Sequence, residues 1–281
     1  MTSKDRSDED GENYQTFQYV QRIKKLNSKQ RRKKQTARIL ESDQPSSSHQ
    51  NLAEVLQTRR KFLIQTGDWL NQSILWLGNC LRSYPPPIRQ ILCLALGSFS
   101  PIDCHDTLTY PENTAGSFEA RKQSQYQLVF LIDVIIPTLK ERPKTSELTV
   151  TFYDPAFTSK DKANLKELGY IVLDQEPDLA CKESTFFYMP HAPKGLYNDL
   201  ISVNKLIGSA NDLNQVILLG NDLKRYQQLM TRKEKEDITA LLALDPETLQ
   251  SYYPPGIAKL DKESGIPFFS DTCLQYFNVV H

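Results

Sequence analysis

Hydrophobic positions recur at helical spacing over residues 52–81, and the pattern ends at Tyr84, which precedes three consecutive prolines. This pattern predicts one long amphipathic helix within residues 51–83 that packs on the segment after it. Trp69 and Trp76 are predicted to lie in the core and at its rim rather than on a platform for a ligand.

Five short apolar runs follow, separated by segments of helical composition. They span residues 91–96, 148–153, 170–173, 185–189 and 216–219. Runs that are apolar on both faces are typical of buried parallel strands, and right-handed helical crossovers connect such strands. The alternation predicts an α/β fold: a Rossmann-like, doubly wound, mostly parallel sheet of about five strands with helices on both faces.

The segments between the runs predict the crossover helices. These cover residues 126–135, closed near Pro137 and Pro143, residues 159–168, with Gly169 as the C-cap, and residues 196–206. A further helix is predicted over residues 233–244. The aromatic and β-branched content of the tail predicts that it folds onto the body, and an added edge strand is one way of doing so.

The first 50 residues differ in composition from the rest. An acidic start precedes nine basic residues between positions 22 and 38, with no acidic residue among them. We therefore predict a disordered acidic-then-basic arm over residues 1–50, followed by one domain over 51–281, with the N-terminal helix in 51–83, the core sheet in 90–222 and a C-terminal helix and tail in 233–281.

The basic run Arg31, Arg32, Lys33 and Lys34 has two interpretations. It is a nuclear-import signal or an arm that contacts a partner, including the phosphates of a nucleic acid, or it is a solvated charged tail. The 34 basic and 34 acidic residues of the chain cancel, so the remainder carries nine excess negative charges once the nine basic residues are set aside. The zero net charge therefore excludes only a uniformly basic protein.

Several classes of protein are not supported by the sequence. No apolar run approaches the length of a membrane-spanning helix, and the polar first fifteen residues do not resemble an export signal, so we expect a cytoplasmic and nuclear protein. The five scattered cysteines favour reduced thiols. Asp103, Cys104, His105 and Asp106 are adjacent but have no spaced partners, so no metal site is predicted.

Polar or turn-forming residues end each predicted strand, and the carboxyl ends of parallel strands share one edge of the sheet. Asp154 follows the second strand, where nucleotide-binding versions of this fold carry an acid that contacts ribose; a turn or cap role is the alternative. His191 follows Pro190 and either titrates near neutral pH in a stiffened loop or holds that loop by hydrogen bonds. The candidate ligand-contacting residues are Gly97, Ser98, Asp154, His191, Lys194, Asn198, Asn221 and Asp271.

The usual fingerprints for phosphate binding and for nucleophilic catalysis are missing from the sequence. The first loop has one glycine, at Gly97, where a dinucleotide fingerprint needs three, and the chain contains neither a P-loop motif nor a G-x-S-x-G nucleophile elbow. The sequence therefore assigns no catalytic residue and identifies no cofactor.

Seven segments together resemble the SRR-like domain, where SRR stands for Sensitivity to Red Light Reduced. They are LALGSF, YQLVFL, YDPAF, LKELGYIVL, FFYMPHAPKGLYNDL, LLGND and FFSDTCLQYF, in order over residues 92–277. The resemblance implies a regulatory role without a defined reaction. It implies association with light input and the circadian clock in plants, with clock gene expression and haem biosynthesis in mammals, and with microtubule-related phenotypes in yeast, in cytoplasm and nucleus.

Three functional hypotheses follow. The first is a non-catalytic regulator whose basic arm serves nuclear entry or docking of a protein partner. The second is a methyltransferase-like enzyme using S-adenosylmethionine, in which Gly97 and Asp154 hold the cofactor and His191 or Asn198 faces the substrate. The third is nucleic-acid binding through the arm, which predicts a steep dependence of affinity on salt.

Overall fold

The computed structural model describes residues 51–84, 86–101, 114–142, 148–206, 212–229, 231 and 235–277. The helices are α1 (Leu52–Gln65), α2 (Trp69–Cys80), α3 (Thr114–Phe130), α4 (Ile136–Lys140), α5 (Ser159–Glu167), α6 (Lys194–Leu206), α7 (Leu223–Leu229), α8 (Thr239–Leu242) and α9 (Ile257–Ser264). The strands are β1 (Gln90–Leu94), β2 (Thr149–Tyr153), β3 (Ile171–Val172), β4 (Thr185–Met189), β5 (Val216–Asn221), β6 (Leu249–Tyr252) and β7 (Thr272–Phe277). Short turns of 3-10 helix lie at Leu81–Ser83 and Asp212–Gln215.

The strands form one sheet in the order β3-β2-β1-β4-β5-β7-β6. β1 to β5 are parallel to one another, whereas β7 is antiparallel to both β5 and β6. The predicted mostly parallel α/β fold is confirmed. The tail adds the two strands β6 and β7, so the sheet has seven described strands rather than about five, and β7 lies inside the sheet rather than at its edge.

The strand interiors are apolar on both faces because helices cover the sheet on both sides. In β1, Ile91 and Cys93 join one hydrophobic cluster, while Leu92 and Leu94 join the other. Helices α1, α2, α3, α5 and α9 contribute side chains to the first cluster, and α6, α7 and α8 contribute to the second. This alternation explains why the central strands appear in the sequence as uninterrupted hydrophobic runs.

The single helix predicted over residues 51–83 is broken into two. Gly67 and Asp68 both have positive φ, at 70° and 58°, and they lie at the break between α1 and α2. The break places the Trp69 ring 5.2 Å from that of Phe269, and the Trp69 indole N–H donates to the carbonyl of Pro255 at 2.7 Å. Trp69 is buried and Trp76 is partly buried, as predicted.

Two further helices differ from the prediction. The helix after the first loop continues past Pro137 and ends at Lys140, before Pro143; a π-helical turn over Leu131–Ile135 precedes α4, and Pro137 lies in the first turn of α4. The helix predicted over 233–244 is interrupted at residues 237–238, and α8 begins afresh at Thr239.

Several predictions fall on parts of the chain that the structure does not describe. The arm with Arg31, Arg32, Lys33 and Lys34 and the segment from Asp103 to Asp106 lie outside the described residues, so the proposed domain division stays a prediction. The four described cysteines, Cys80, Cys93, Cys181 and Cys273, are free and buried. Among the described residues no helix is long and apolar enough to cross a membrane, and no group of three or more His, Cys, Asp or Glu is arranged to hold a metal ion.

Candidate functional site

The carboxyl ends of β1, β2, β4 and β5 lie along one edge of the sheet, which we call the rim. β7 runs in the opposite direction, so Thr272 at its start pairs with Asn221 at the end of β5. The strand order reverses at β1, which lies between β2 and β4, and ligands of open α/β sheets bind outside such a reversal. The predicted residues at the rim are Gly97, Ser98, Asp154, His191, Asn221 and Asp271.

Asp154 ties the end of β2 to the loop after β1. Its carboxylate accepts the backbone N–H of Gly97 at 2.7 Å and that of Ala156 at 2.7 Å, one on each oxygen. Gly97 has φ of 77°, a conformation that glycine adopts without strain. Burial raises the pKa of Asp154, and the two N–H donors act against that rise.

Asp161, on the first turn of α5, holds the rest of the same loop. It accepts the Ser98 hydroxyl at 2.7 Å and the backbone N–H groups of Phe99 and Ser100 at 3.1 and 2.7 Å. It also forms a capping box with Thr158, whose N–H and hydroxyl both donate to the Asp161 carboxylate. Burial alone would raise the pKa of Asp161, but these hydrogen bonds lower it below its usual value.

The residues of the first loop do not fit an adenosyl cofactor held in the usual way. Such cofactors use the backbone N–H groups after β1 and an acid after β2. Here the N–H groups of Gly97, Phe99 and Ser100 donate to Asp154 and Asp161. A Cβ atom added at Gly97 would lie 2.8 Å from the Ser124 hydroxyl, so the space beside this glycine is already filled.

His191 lies at the end of β4 in a left-handed conformation, with φ of 59°. Its backbone N–H donates to the side-chain oxygen of Asn221 at 3.1 Å, and its Nε2 lies 2.9 Å from the carbonyl oxygen of Phe268. Burial lowers the pKa of His191, while the contact with Phe268 and the charge of Asp261 act in the opposite direction. The neutral imidazole is therefore the favoured form at neutral pH, with Nε2–H donating to Phe268.

Asn221 is held between the ends of β4 and β5. The hydroxyl of Tyr197 donates to the carbonyl of Met189 at 2.5 Å and accepts the backbone N–H of Asn221 at 2.9 Å. The side-chain amide of Asn221 donates to the hydroxyl of Tyr226. Asn221 therefore connects the His191 backbone to two tyrosines and fixes the shape of this part of the rim.

The chain is similar to known proteins in its sequence and in its fold. A family model of the SRR1 domain matches residues 52–276. The chain belongs to the SRR1 family. The match confirms the resemblance that the sequence predicts over residues 92–277 and extends it to α1 and α2. The SRR1-like protein of Mus musculus is 24% identical over 179 residues, which cover 59% of this chain and 69% of the mouse protein.

Two solved structures are similar to this SRR1 domain in outline. An O-methyltransferase structure from Klebsiella pneumoniae matches with a TM-score of 0.35 and 12% identity, covering 88% of this chain and 96% of that one. The plantazolicin methyltransferase BpumL in complex with SAH matches with a TM-score of 0.28 and 9% identity, covering 89% and 99%. Both TM-scores are low, so neither structure bears on the function of this chain.

Lys194 and Asn198 lie on the first turns of α6 in the SRR1 domain. The ammonium of Lys194 is 5.6 Å from the centre of the Tyr226 ring. The side-chain oxygen of Asn198 accepts the backbone N–H groups of Ala240 and Leu241 at 3.0 and 3.2 Å, so it caps α8. This contact explains why the helix predicted over 233–244 starts again at Thr239.

Asp271 contacts two residues, Asp222 and Arg225, that line an open cavity of about 410 Å³ near the start of α7. Its carboxylate pairs with Arg225, and its backbone carbonyl accepts the N–H of Asp222 at 2.8 Å. The hydroxyl of Tyr253 donates to Asp222 at 2.5 Å. That hydrogen bond is the main cause that raises the pKa of Tyr253. The cavity is lined by the acidic Asp222, the basic Lys224 and Arg225 and the exposed Leu229. This lining does not indicate one class of ligand.

Sequence reasoning missed several residues that shape the rim of the SRR1 domain. Asp161 forms part of a Thr158-x-x-Asp161 capping-box pattern that the sequence displays, but its bonds to the first loop span some 60 positions. Arg121 donates from Nη1 to the Ser98 hydroxyl and to the Ser100 carbonyl. Tyr197 occurs in the sequence as one aromatic residue of an amphipathic helix, with no signal for its two rim contacts. The functional role of the eight predicted residues stays a prediction.

Proposed function

We propose that this SRR1-domain protein is a regulator that acts by binding other proteins and that its rim does no catalysis. The observation that carries this proposal is the pair of carboxylates Asp154 and Asp161, which accept the N–H groups of the first loop. In cofactor-binding sheets those N–H groups point at the ligand. Here they hold the loop against the end of β2 and the start of α5.

The remaining predicted residues support the same conclusion. His191, Asn198 and Asn221 each make a hydrogen bond that fixes backbone or a neighbouring element. A polar side chain that already satisfies a buried backbone group loses that bond if it turns to a substrate. The polar side chains of the rim therefore hold neighbouring elements together, and this role accounts for them better than catalysis does.

Membership of the SRR1 family supports the choice of process. We place the protein in one of the processes that the family resemblance implies: circadian-clock or light-signalling regulation, haem biosynthesis, or a microtubule-related process. The basic arm at Arg31 to Lys34 would dock an import receptor or a protein partner, and the protein would work in both cytoplasm and nucleus.

The sharpest test removes the imidazole at the rim without changing the backbone. Asparagine tolerates positive φ better than most residues, so His191→Asn keeps the loop conformation while deleting the titratable group. Cells that lack the gene would be complemented with the wild type or with this variant. The regulatory phenotype is expected to be restored equally by both, with matching protein levels. Loss of the phenotype in the folded variant would contradict a non-catalytic rim.

A transferase using S-adenosylmethionine is the second candidate. It is favoured by position alone: Gly97 follows β1 and Asp154 follows β2, at the point where the strand order reverses. Thermal unfolding of the full chain with S-adenosylmethionine, S-adenosylhomocysteine or NAD separates the two candidates. A ligand at 100 times its dissociation constant stabilises a protein by roughly 2.7 kcal/mol. We expect no shift; a shift with S-adenosylmethionine or S-adenosylhomocysteine that Asp154→Asn abolishes would show a cofactor site, support the transferase and count against the regulator.

The basic arm is tested apart from the domain. Deletion of residues 1–50 is expected to prevent nuclear entry of a fluorescent fusion, and the quadruple alanine variant of positions 31–34 should do the same. Unchanged nuclear entry in both would reject the import role. Nucleic-acid binding that falls steeply with salt and is lost on deletion would instead assign the arm to a polyanion.

A further inference from the structure

Two arginines from different helices converge on the loop after β1. Arg59 of α1 donates from Nε to the side-chain oxygen of Gln125 at 3.1 Å. The amide of Gln125 in turn donates to the carbonyl of Phe99 at 3.0 Å. Gln125 is fully packed against this loop, so it brings the Arg59 guanidinium to the carboxyl end of β1.

Arg121 of α3 reaches the same loop directly. Its Nη1 donates to the Ser98 hydroxyl at 2.7 Å and to the Ser100 carbonyl at 2.6 Å. Because Gln125 lies one helical turn after Arg121, the two side chains project from the same face of α3. Arg121 therefore contacts Ser98 and Ser100 directly, and Arg59 is linked to Phe99 of the same loop through Gln125.

Within the described residues, both guanidinium groups have buried N–H donors without a hydrogen-bond partner. Only 6% of Arg59 is exposed, and its Nη1 is buried with no hydrogen-bond acceptor. The Nε of Arg121 is in the same condition. The guanidinium carbon of Arg59 lies 5.4 Å from the centre of the Tyr126 ring, but in the described part of the chain no carboxylate pairs with Arg59.

The neighbouring Arg60 shows how an arginine of the same helix is normally satisfied. Its Nε and Nη2 donate to the two carboxylate oxygens of Asp133 at 2.5 and 2.9 Å, although Arg60 is more exposed than Arg59. A buried cation without a counter-ion is costly, and a buried N–H without an acceptor adds to that cost. Among the described residues, Arg59 therefore lacks the carboxylate partner that Arg60 has in Asp133.

We propose that Arg59 and Arg121 bind the oxyanion group, a phosphate or a carboxylate, of a small molecule that docks at the carboxyl end of β1. The planar guanidinium fork matches both groups in a bidentate geometry. The site lies beside the reversal of strand order, where ligands of such sheets bind. It uses side-chain donors in place of the loop N–H groups that Asp154 and Asp161 accept.

Asp161, the described carboxylate that bonds to this loop beside Arg121, does not pair with either arginine. Asp161 shares the Ser98 hydroxyl with Arg121, but its two oxygens already accept five hydrogen bonds from the first loop and from Thr158. The oxyanion of a ligand would accept hydrogen bonds from the unpaired donors, which are Nη1 of Arg59 and Nε of Arg121. Such binding does not depend on whether the domain is a regulator or an enzyme.

The test measures anion-dependent thermal unfolding of the full chain. Sodium phosphate and sodium citrate are compared with sodium chloride at equal ionic strength, for the wild type, Arg59→Gln, Arg121→Gln and the matched control Arg60→Gln. Phosphate or citrate is expected to raise the Tm of the wild type and of Arg60→Gln alike. Both site variants are expected to lose the rise, with affinity by calorimetry reduced about tenfold.

The choice between the two anions identifies the ligand group, because a rise with phosphate alone indicates a phosphate and a rise with citrate alone indicates a carboxylate. No rise with either anion in the wild type would overturn the proposal, as would an equal rise in all four proteins. If circular dichroism shows that Arg59→Gln does not fold, Arg121→Gln decides the question, because Arg121 is only partly buried.

Discussion

The carboxylate of Asp161 accepts the backbone N–H of Ser100 at 2.7 Å, although 61 positions separate the two residues. This bond ties the loop after β1 to the start of α5, and Asp154 makes a parallel connection to Gly97. Two acids that follow one strand thus hold the loop that follows its neighbour. The rim owes its shape to these long-range bonds rather than to local turn chemistry.

Asp161→Asn is expected to destabilise the domain by roughly 3 kcal/mol. Asp161 is fully buried and accepts five hydrogen bonds, and an amide would offer one oxygen and turn its NH₂ group toward other donors. Urea unfolding measures the change. Asp174→Asn is the control, because Asp174 is exposed and forms a surface ion pair with Lys162, and it should leave the midpoint unchanged. Equal midpoints for both variants would show that Asp161 does not hold the loop.

His191 is expected to make the free energy of unfolding decrease as the pH falls below neutral. Burial lowers its folded-state pKa below the unfolded value of about 6.5, so the unfolded chain binds the proton more readily. The stabilisation is therefore complete above about pH 6.5 and is lost as the pH falls through the folded-state pKa. Urea midpoints measured from neutral to mildly acid pH should fall less steeply for His191→Asn than for the wild type. Parallel curves would mean that His191 is not buried as the neutral form.

Asn198→Ala is expected to cost about 1 kcal/mol, because the Asn198 oxygen caps α8 through the N–H groups of Ala240 and Leu241. Asn198→Asp keeps an acceptor and places negative charge at a helix N-terminus, so it should retain the stability of the wild type. Hydrogen exchange of the α8 amides, together with urea unfolding, measures both. Unchanged exchange in the alanine variant would return Asn198 to the list of ligand-facing candidates.

Much of the fold could be predicted because the central strands are apolar on both faces. β4 occurs at Thr185–Met189, the residues that the sequence predicts, since Pro190 ends the run. The break between α1 and α2 could not be predicted from hydrophobic spacing, because Trp69 continues the pattern across it. Gly67 was the available signal, but its meaning depends on the stacking of Trp69 against Phe269, which is a tertiary contact.

The rim was predictable in position and not in chemistry. Strand ends meet at one edge of a parallel sheet, so the positions of Gly97, Asp154 and His191 follow from topology alone. Which hydrogen-bond partner each side chain takes depends on how distant parts of the chain are positioned relative to each other, to within about an ångström. Asn198 illustrates the limit: an amide on a helix can face a substrate or cap another helix, and only the packing of α6 on α8 distinguishes them.

Gly220→Ala and Gly195→Ala are expected to change stability in opposite directions. A Cβ atom at Gly220 would lie 2.7 Å from the Tyr197 hydroxyl and 3.0 Å from the carbonyl oxygen of Met189, which belongs to the adjacent strand β4. Neither neighbour moves without breaking the 2.5 Å bond between them, so we expect a loss of about 3 kcal/mol. A Cβ atom at Gly195, in the first turn of α6, meets nothing within 4 Å, and alanine favours helix by up to about 1 kcal/mol. Guanidinium unfolding of both variants checks the contrast. A Gly220→Ala midpoint equal to that of the wild type would mean that the Tyr197 hydroxyl is not held between Met189 and Asn221 as closely as the structure indicates.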